Sequence, residues 1–358
     1  MRRTMMAALL MTAFAVPAYA QLGSILKKGE DAKKKVDDLT ITEDEERQIG
    51  EDISVKLREK YGVVQDPAVH KYVALVGTTL AQLSDRPNLK WTFIVLDTDG
   101  VNAFAAPGGY VHITRGALAL AQNEAELADV LGHEIGHVNK KHTVNAIKNG
   151  NYLNATANAT RNDVVKKYAE VGYGMTLENK FDRDQEQQSD EIAMTLANKS
   201  GYSAGGLGTF LTRLTERNKD QKERSGFFAS HQEMTSRLSQ ISKYISSQKL
   251  TAASLVAARY GSKIAYKPVP ITAVAQVAPP TAGAAPAAEK PASSGGGKFG
   301  MAGLSGLGKE KSGSQTVSSA GSRGLNPDRD AKGGPVKTLV VVTVSAADLA
   351  EFKKGIAG

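Results

Sequence analysis

Leu131-Gly132-His133-Glu134-Ile135-Gly136-His137-Val138 is the stretch on which the fold turns, because it continues an apolar stripe of helical spacing that begins at Leu127 and Val130. On such a helix, positions i and i+4 share a face one turn apart. His133 and His137 can therefore aim two imidazoles at one point, while Glu134 faces the same cavity from beside them. Two histidines with an adjacent carboxylate suit a catalytic zinc. Leu131, Ile135 and Val138 surround the pair with the apolar setting that a dry metal cavity requires, which separates it from two surface histidines on an amphipathic helix.

A catalytic zinc usually takes three protein ligands and keeps one position for water. The chain has no Cys, so the third ligand is His, Asp or Glu. A metzincin would place a third His at 143 and a Gly at 140, where this chain has Thr143 and Lys140. His142 falls one residue early, and reads as an exposed or structural side chain in preference to a group behind the ligands. A later helix, expected over Asp184 to Lys199, carries Glu186-Gln187-Gln188-Ser189-Asp190. Its two carboxylates are one turn apart, so one can ligate the metal while the other accepts a hydrogen bond from a ligating imidazole. By itself this pair would read as a solvated acidic face; set beside the histidine helix, it points to ligation by Glu186. Ala193 and Ala197 continue the face with small residues that let the two helices approach.

Around this centre, Thr42 to about Leu250 reads as one folded unit. Thr42-Glu43-Asp44-Glu45 is a capping-box pattern, followed by Ile49, Ile53 and Leu57 at fourfold spacing. A second helix is expected over Ala68 to Leu83, after Asp66-Pro67. Strands are expected over Trp91 to Leu96 and Tyr110 to Thr114, joined through Asn102-Ala103-Phe104 and a Pro107-Gly108-Gly109 turn. The fold class is therefore α+β and zincin-like, mainly helical, with a small sheet of three or four strands beside the zinc-binding helix.

The flanks differ from the centre. Residues 1–20 carry Arg2 and Arg3, an apolar run from Met5 to Val16 and Ala18-Tyr19-Ala20, the pattern of a secretory signal peptide cleaved after Ala20. A periplasmic address follows. The formal charge of +8 becomes +6 once Arg2 and Arg3 leave, and the basic residues are spread along the chain, so nucleic-acid binding is not indicated. Residues 21–41 form a basic leader, which either solvates the end or makes peripheral contact with a membrane. Residues 251–335, with the sharpest change after Lys267, read as a flexible Ala/Pro/Gly/Ser linker. Residues 336–358 read as a strand-helix tail that docks on its own domain or on a partner's sheet edge, or else stays unstructured.

Taken in order, the capped helix, Asp66-Pro67, Asn102-Ala103-Phe104, Pro107-Gly108-Gly109, the zinc helix, the carboxylate helix and Ser230-His231 resemble the HtpX and CAAX-prenyl-protease family of gluzincins, particularly its soluble periplasmic members. The resemblance covers about Thr42 to Ile241. It implies that Glu186 is the third ligand and Asp190 its companion, with Gln188 and Ser189 where the family commonly has Glu and Ala. It also implies that His231 and Arg237 sit near the metal, although Gln232 replaces the family's Pro. His231 then either stabilises the oxyanion or, at rest, blocks the open zinc position. The expected function is an exported endopeptidase with one Zn2+ per chain and Glu134 as general base, holding unfolded or misassembled envelope proteins along a strand edge at Asn102, Ala103 and Phe104. The alternative is a chaperone-like assembly or quality-control factor with a latent or structural zinc site.

Overall fold

In a computed structural model of the protein, the described residues are 41–149, 160–178, 181–219, 231–270 and 336–356. The expected signal peptide, basic leader and the linker from 271 to 335 lie outside them.

Thr42 caps α1 (Glu43–Tyr61), with its side chain and that of Glu45 exchanging hydrogen bonds with each other's backbone N–H. Ile49, Ile53 and Leu57 are fully buried, as their spacing predicts. Asp66 accepts from the N–H groups of Ala68 and Val69 to start α2 (Pro67–Ala81), where Pro67 costs no hydrogen bond in the first turn. The sheet follows as β1 (Thr92–Leu96), β2 (Ala103–Ala106) and β3 (Tyr110–Thr114), in the order β1-β3-β2. β1 runs parallel to β3 and β2 antiparallel to it, so part of the segment read as a connection is itself a strand. Gly108 and Gly109, with φ of 71° and 91°, make the turn that returns β2 to β3.

The alternation of side chains along the strands feeds two cores. Phe93, Val95, Val111 and Ile113 face a core built with α2 and with helices from the later chain. Ile94, Leu96, Phe104 and Tyr110 face a second core with α1 and α6 (Arg161–Glu178). A sheet covered on both faces explains why its strands are apolar almost throughout.

After α3 (Arg115–Leu120), the histidine-bearing helix α4 (Glu124–Asn139) is capped by Asn123. Its far end is tied to α1. Buried Glu46 takes Arg86 at 2.6 Å, Lys141 at 2.9 Å and the Gly108 N–H at 3.2 Å, and Arg86 also donates to Val138 O at 3.2 Å. Beyond α5 (His142–Asn149) and α6 comes α7 (Arg183–Lys199), started by a capping box between Asp182 and Gln185. The α4 and α7 backbones press together at two glycines. A Cβ on Gly132 would lie 3.0 Å from Ala193 Cα, and one on Gly136 would lie 2.9 Å from Ser189 Cα.

The chain continues through α8 (Gly206–Arg217), α9 (His231–Ser247) and α10 (Ala257–Lys263). α10 corrects the expected linker boundary at 251. Tyr260 and Ile264 are buried in the first core, and the Tyr260 hydroxyl donates to Leu118 O at 2.6 Å. These two apolar anchors hold the segment against the first core.

The tail docks on its own domain. Residues 336–344 form no strand, which corrects the expected one; they are held by the Val63 N–H to Val336 O at 2.7 Å and by Gln65 to Thr338 O at 3.1 Å. α11 (Ala346–Lys354) then buries Leu349 and Phe352, and Phe352 meets the Tyr72 ring edge-on at 6.2 Å. No helix among the described residues is long and apolar enough to cross a membrane.

Candidate metal centre

The close passage of α4 along α7 sets His133 and His137 opposite Glu186 and Asp190. His133 Nε2 and His137 Nε2 are 3.0 Å apart. Glu186 reaches both, with Oε2 3.7 Å from His133 Nε2 and Oε1 3.5 Å from His137 Nε2. Ligand atoms of all three residues lie within 4.8 Å of one another. A tetrahedral zinc with bonds of about 2.0–2.2 Å needs its ligand atoms roughly 3.3–3.6 Å apart, so the spacing suits the ion. The donor chemistry suits it too. Each imidazole has its Nδ1 against another group, His133 against Asp190 and His137 against His142, so the two Nε2 lone pairs converge on one point. A cation held with a carboxylate is what such a set accommodates.

Behind His133, its Nδ1 lies 2.8 Å from Asp190 Oδ1. Arg237, on α9, forks onto the same carboxylate, with Nε to Oδ2 and Nη2 to Oδ1 both at 2.6 Å, and its Nη1 reaches Glu186 Oε2 at 3.1 Å. Burial would raise the pKa values of Asp190 and Glu186, but Arg237 and the imidazoles outweigh it and hold both below the ordinary carboxylate range. Both are therefore ionised and ready to bind a cation or a ring N–H.

Around His137, burial pushes the pKa down to about 4, so the ring is neutral and its lone pair available near pH 7. The Phe181 ring covers it at a centroid distance of 4.1 Å. His142 is 3% exposed, with Nδ1 2.9 Å from His137 Nδ1, so of the readings as an exposed side chain, a structural one or a group behind the ligands, the exposed one is corrected. The cause is local: α4 ends at Asn139, Lys141 takes a φ of 54°, and α5 starts at His142, folding that ring back onto His137. Ser189, one of the two departures from the family pattern on α7, puts its Oγ 3.5 Å from His142 Nδ1.

Glu134 shares with His133, His137 and Glu186 a cavity of about 10 Å3, room for one water-sized sphere, lined also by Ala103, Phe104, Ala105, Thr176 and Phe181. Burial, and then the charge of Glu186, push the Glu134 carboxyl well above its ordinary range, while the Ala105 N–H acts in the opposite sense. Of the three predicted strand residues, Ala103 and Phe104 border the cavity. Asn102 does not: its N–H donates to Thr114 Oγ1 and its carbonyl accepts from the Thr114 N–H, each at 3.0 Å. Arg237 stands behind the carboxylates and is absent from the cavity wall. His231 heads α9, and its side chain lies outside the described residues. Sequence reasoning missed Ala105, Thr176 and Phe181. Phe181 had a signal, since an apolar residue just before a helix cap, here Asp182, tends to fold back over the helix start.

The family model for peptidase family M48 matches residues 67–245. The beta-barrel assembly-enhancing protease of Escherichia coli is 27% identical over 192 residues, covering 49% of this chain and 39% of that protein. The mitochondrial metalloendopeptidase OMA1 of Schizosaccharomyces pombe is 23% identical over 221 residues, 60% of this chain and 64% of that one. The metalloprotease YcaL of Escherichia coli is 29% identical over 160 residues, 42% of this chain and 61% of that one. The chain thus spans well under two thirds of the length of the assembly-enhancing relative. The family match runs from the first residue of α2 into α9 and takes in both histidines, Glu134, Glu186, Asp190 and Arg237: the chain belongs to peptidase family M48.

Proposed function

We propose that this chain is an exported zinc-dependent endopeptidase acting on unfolded or misassembled envelope proteins. The observation that carries the reading is the convergence of His133, His137 and Glu186 ligand atoms within 4.8 Å, with Glu134 in the same cavity. In this reading those three side chains hold one zinc per chain, which when bound acts as a Lewis acid that polarises a carbonyl and acidifies water.

Glu134 is the general base. Burial and the Glu186 charge raise its affinity for a proton, so it can take one from the attacking water and deliver it to the leaving amine nitrogen. Asp190 orients His133, and Arg237 balances the negative charge of Asp190 and Glu186 so that both stay ionised. His231, six residues before Arg237, is assigned the oxyanion or, at rest, the open metal position. Among the described residues β2 is an edge strand, and Ala103 and Ala105, both buried, lie at the cavity. An extended chain added there is held by main-chain hydrogen bonds with little sequence preference, which suits unfolded substrates. The signal-peptide pattern of residues 1–20 and the relative named for beta-barrel assembly support an envelope location.

The reading is tested by Glu134→Gln. The variant should keep one zinc per chain and its fold while losing about 10²–10⁴-fold in casein cleavage. Unchanged cleavage would overturn it.

A further inference from the structure

We infer that His142 is a positioning residue of the metal centre: its Nδ1 accepts the hydrogen bond that holds His137 with Nε2 turned to the ion. The inference rests on the reading of His133, His137 and Glu186 as metal ligands.

The argument starts from proton counting. His137 Nε2 is the nitrogen turned toward His133 Nε2, at 3.0 Å, and toward Glu186, at 3.5 Å. A neutral imidazole carries a single proton, so an Nε2 lone pair free for a metal puts that proton on Nδ1. His137 Nδ1 lies 2.9 Å from His142 Nδ1. A hydrogen bond between two nitrogens needs one donor and one acceptor. His142 Nδ1 is therefore the acceptor, and the His142 proton sits on Nε2. The Ser189 Oγ lies farther from the same nitrogen, at 3.5 Å.

Space filling does not account for the residue. His142 is buried, and its Nε2 makes no hydrogen bond of normal geometry among the described residues, with the Gln188 amide alongside. What an apolar side chain lacks is the acceptor.

This arrangement makes the two ligating imidazoles unequal. His133 donates to Asp190, an ionised carboxylate, whereas His137 donates to a neutral ring. Charge-assisted hydrogen bonds are roughly twice as strong as neutral ones, so His137 is the less firmly held ligand. Its orientation depends on the short Lys140-Lys141 turn that brings α5 back against α4.

The experiment compares Zn2+ affinity, by chelator competition, in the full chain and in His142→Phe, His142→Asn and Glu186→Ala. Phe removes the acceptor, whereas the Asn Oδ1 can stand where Nδ1 stood. His142→Phe should bind zinc about 10–100-fold more weakly, and His142→Asn should stay near the parent. Parent-like affinity in His142→Phe, with zinc lost in Glu186→Ala, overturns this inference alone. An equal loss in the Asn and Phe variants overturns it too, because the acceptor is then not what matters. Absence of zinc binding by the parent chain overturns the reading of the centre and this inference together. Should His142→Phe fail to fold, long-range 15N–1H NMR of the zinc-loaded parent decides: a proton on His142 Nε2 supports the assignment, and one on Nδ1 refutes it.

Discussion

Arg237 grips Asp190 by two parallel hydrogen bonds of 2.6 Å each, while the same carboxylate receives His133 Nδ1 at 2.8 Å. One carboxylate thus joins α9 to the histidine helix. Its charge orients the ring and is itself neutralised by the guanidinium. Asp190→Asn keeps the shape and removes the charge, so zinc affinity should fall about 10–100-fold in chelator competition. Affinity equal to the parent's would show that the ring is held by packing instead.

Gly136 faces Ser189 at a distance that leaves no room for a methyl group, the added Cβ lying 2.9 Å from Ser189 Cα and 3.2 Å from Ser189 O. Both contacts are backbone and cannot rotate away. Gly136→Ala should destabilise by about 1–3 kcal/mol in urea unfolding, even though Ala is the better helix former. Gly174, inside α6, has nothing within 4 Å of its added Cβ. Gly174→Ala should therefore gain up to about 1 kcal/mol, so the two substitutions move stability in opposite directions.

Phe352 anchors the tail between the Tyr72 ring, at 6.2 Å, and the Arg259 guanidinium, 4.1 Å above its own ring. Arg259 also pairs with fully buried Glu124, the first residue of the histidine helix. Phe352→Ala should cost about 3–5 kcal/mol in the full chain, read as a lowered urea midpoint. A change below about 0.5 kcal/mol, the usual size of a surface substitution, would mean that the tail adds little to the fold.

His112 on β3 is fully buried between Ser54 Oγ, at 2.9 Å, and Phe104 O, at 3.4 Å, and burial pushes its pKa down to about 3. The ordinary value is 6.5. Between these two values the unfolded chain binds the proton and the folded one does not. This contribution to stability is complete above pH 6.5 and is lost as pH falls from there toward 3. Urea unfolding at pH 7, 6 and 5 should show the slope of stability against pH shallower in His112→Asn than in the parent, by up to about 1.4 kcal/mol per unit. Identical slopes would place the loss elsewhere.

What the sequence determined by itself is what one or two helical turns decide. The shared face of His133 and His137, the carboxylate pair Glu186 and Asp190, the cap at Thr42 and the small residues Ala193 and Ala197 all follow from periodicity and capping, which act over three or four residues. Tertiary structure decided the partners. Asp190, rather than Glu186, backs His133 because the α4 and α7 backbones pass close enough at Gly132 and Gly136 to set that register. His142 turns inward because one left-handed residue, Lys141, reverses the chain, and nothing in the spacing of a helix foretells such a turn. The segment at 103–106 becomes the edge strand beside the centre, and the tail folds onto α2, because each meets a surface contributed by residues far away in the chain. Local sequence sets which way a side chain points along its own element; which group it then meets depends on where distant elements come to rest.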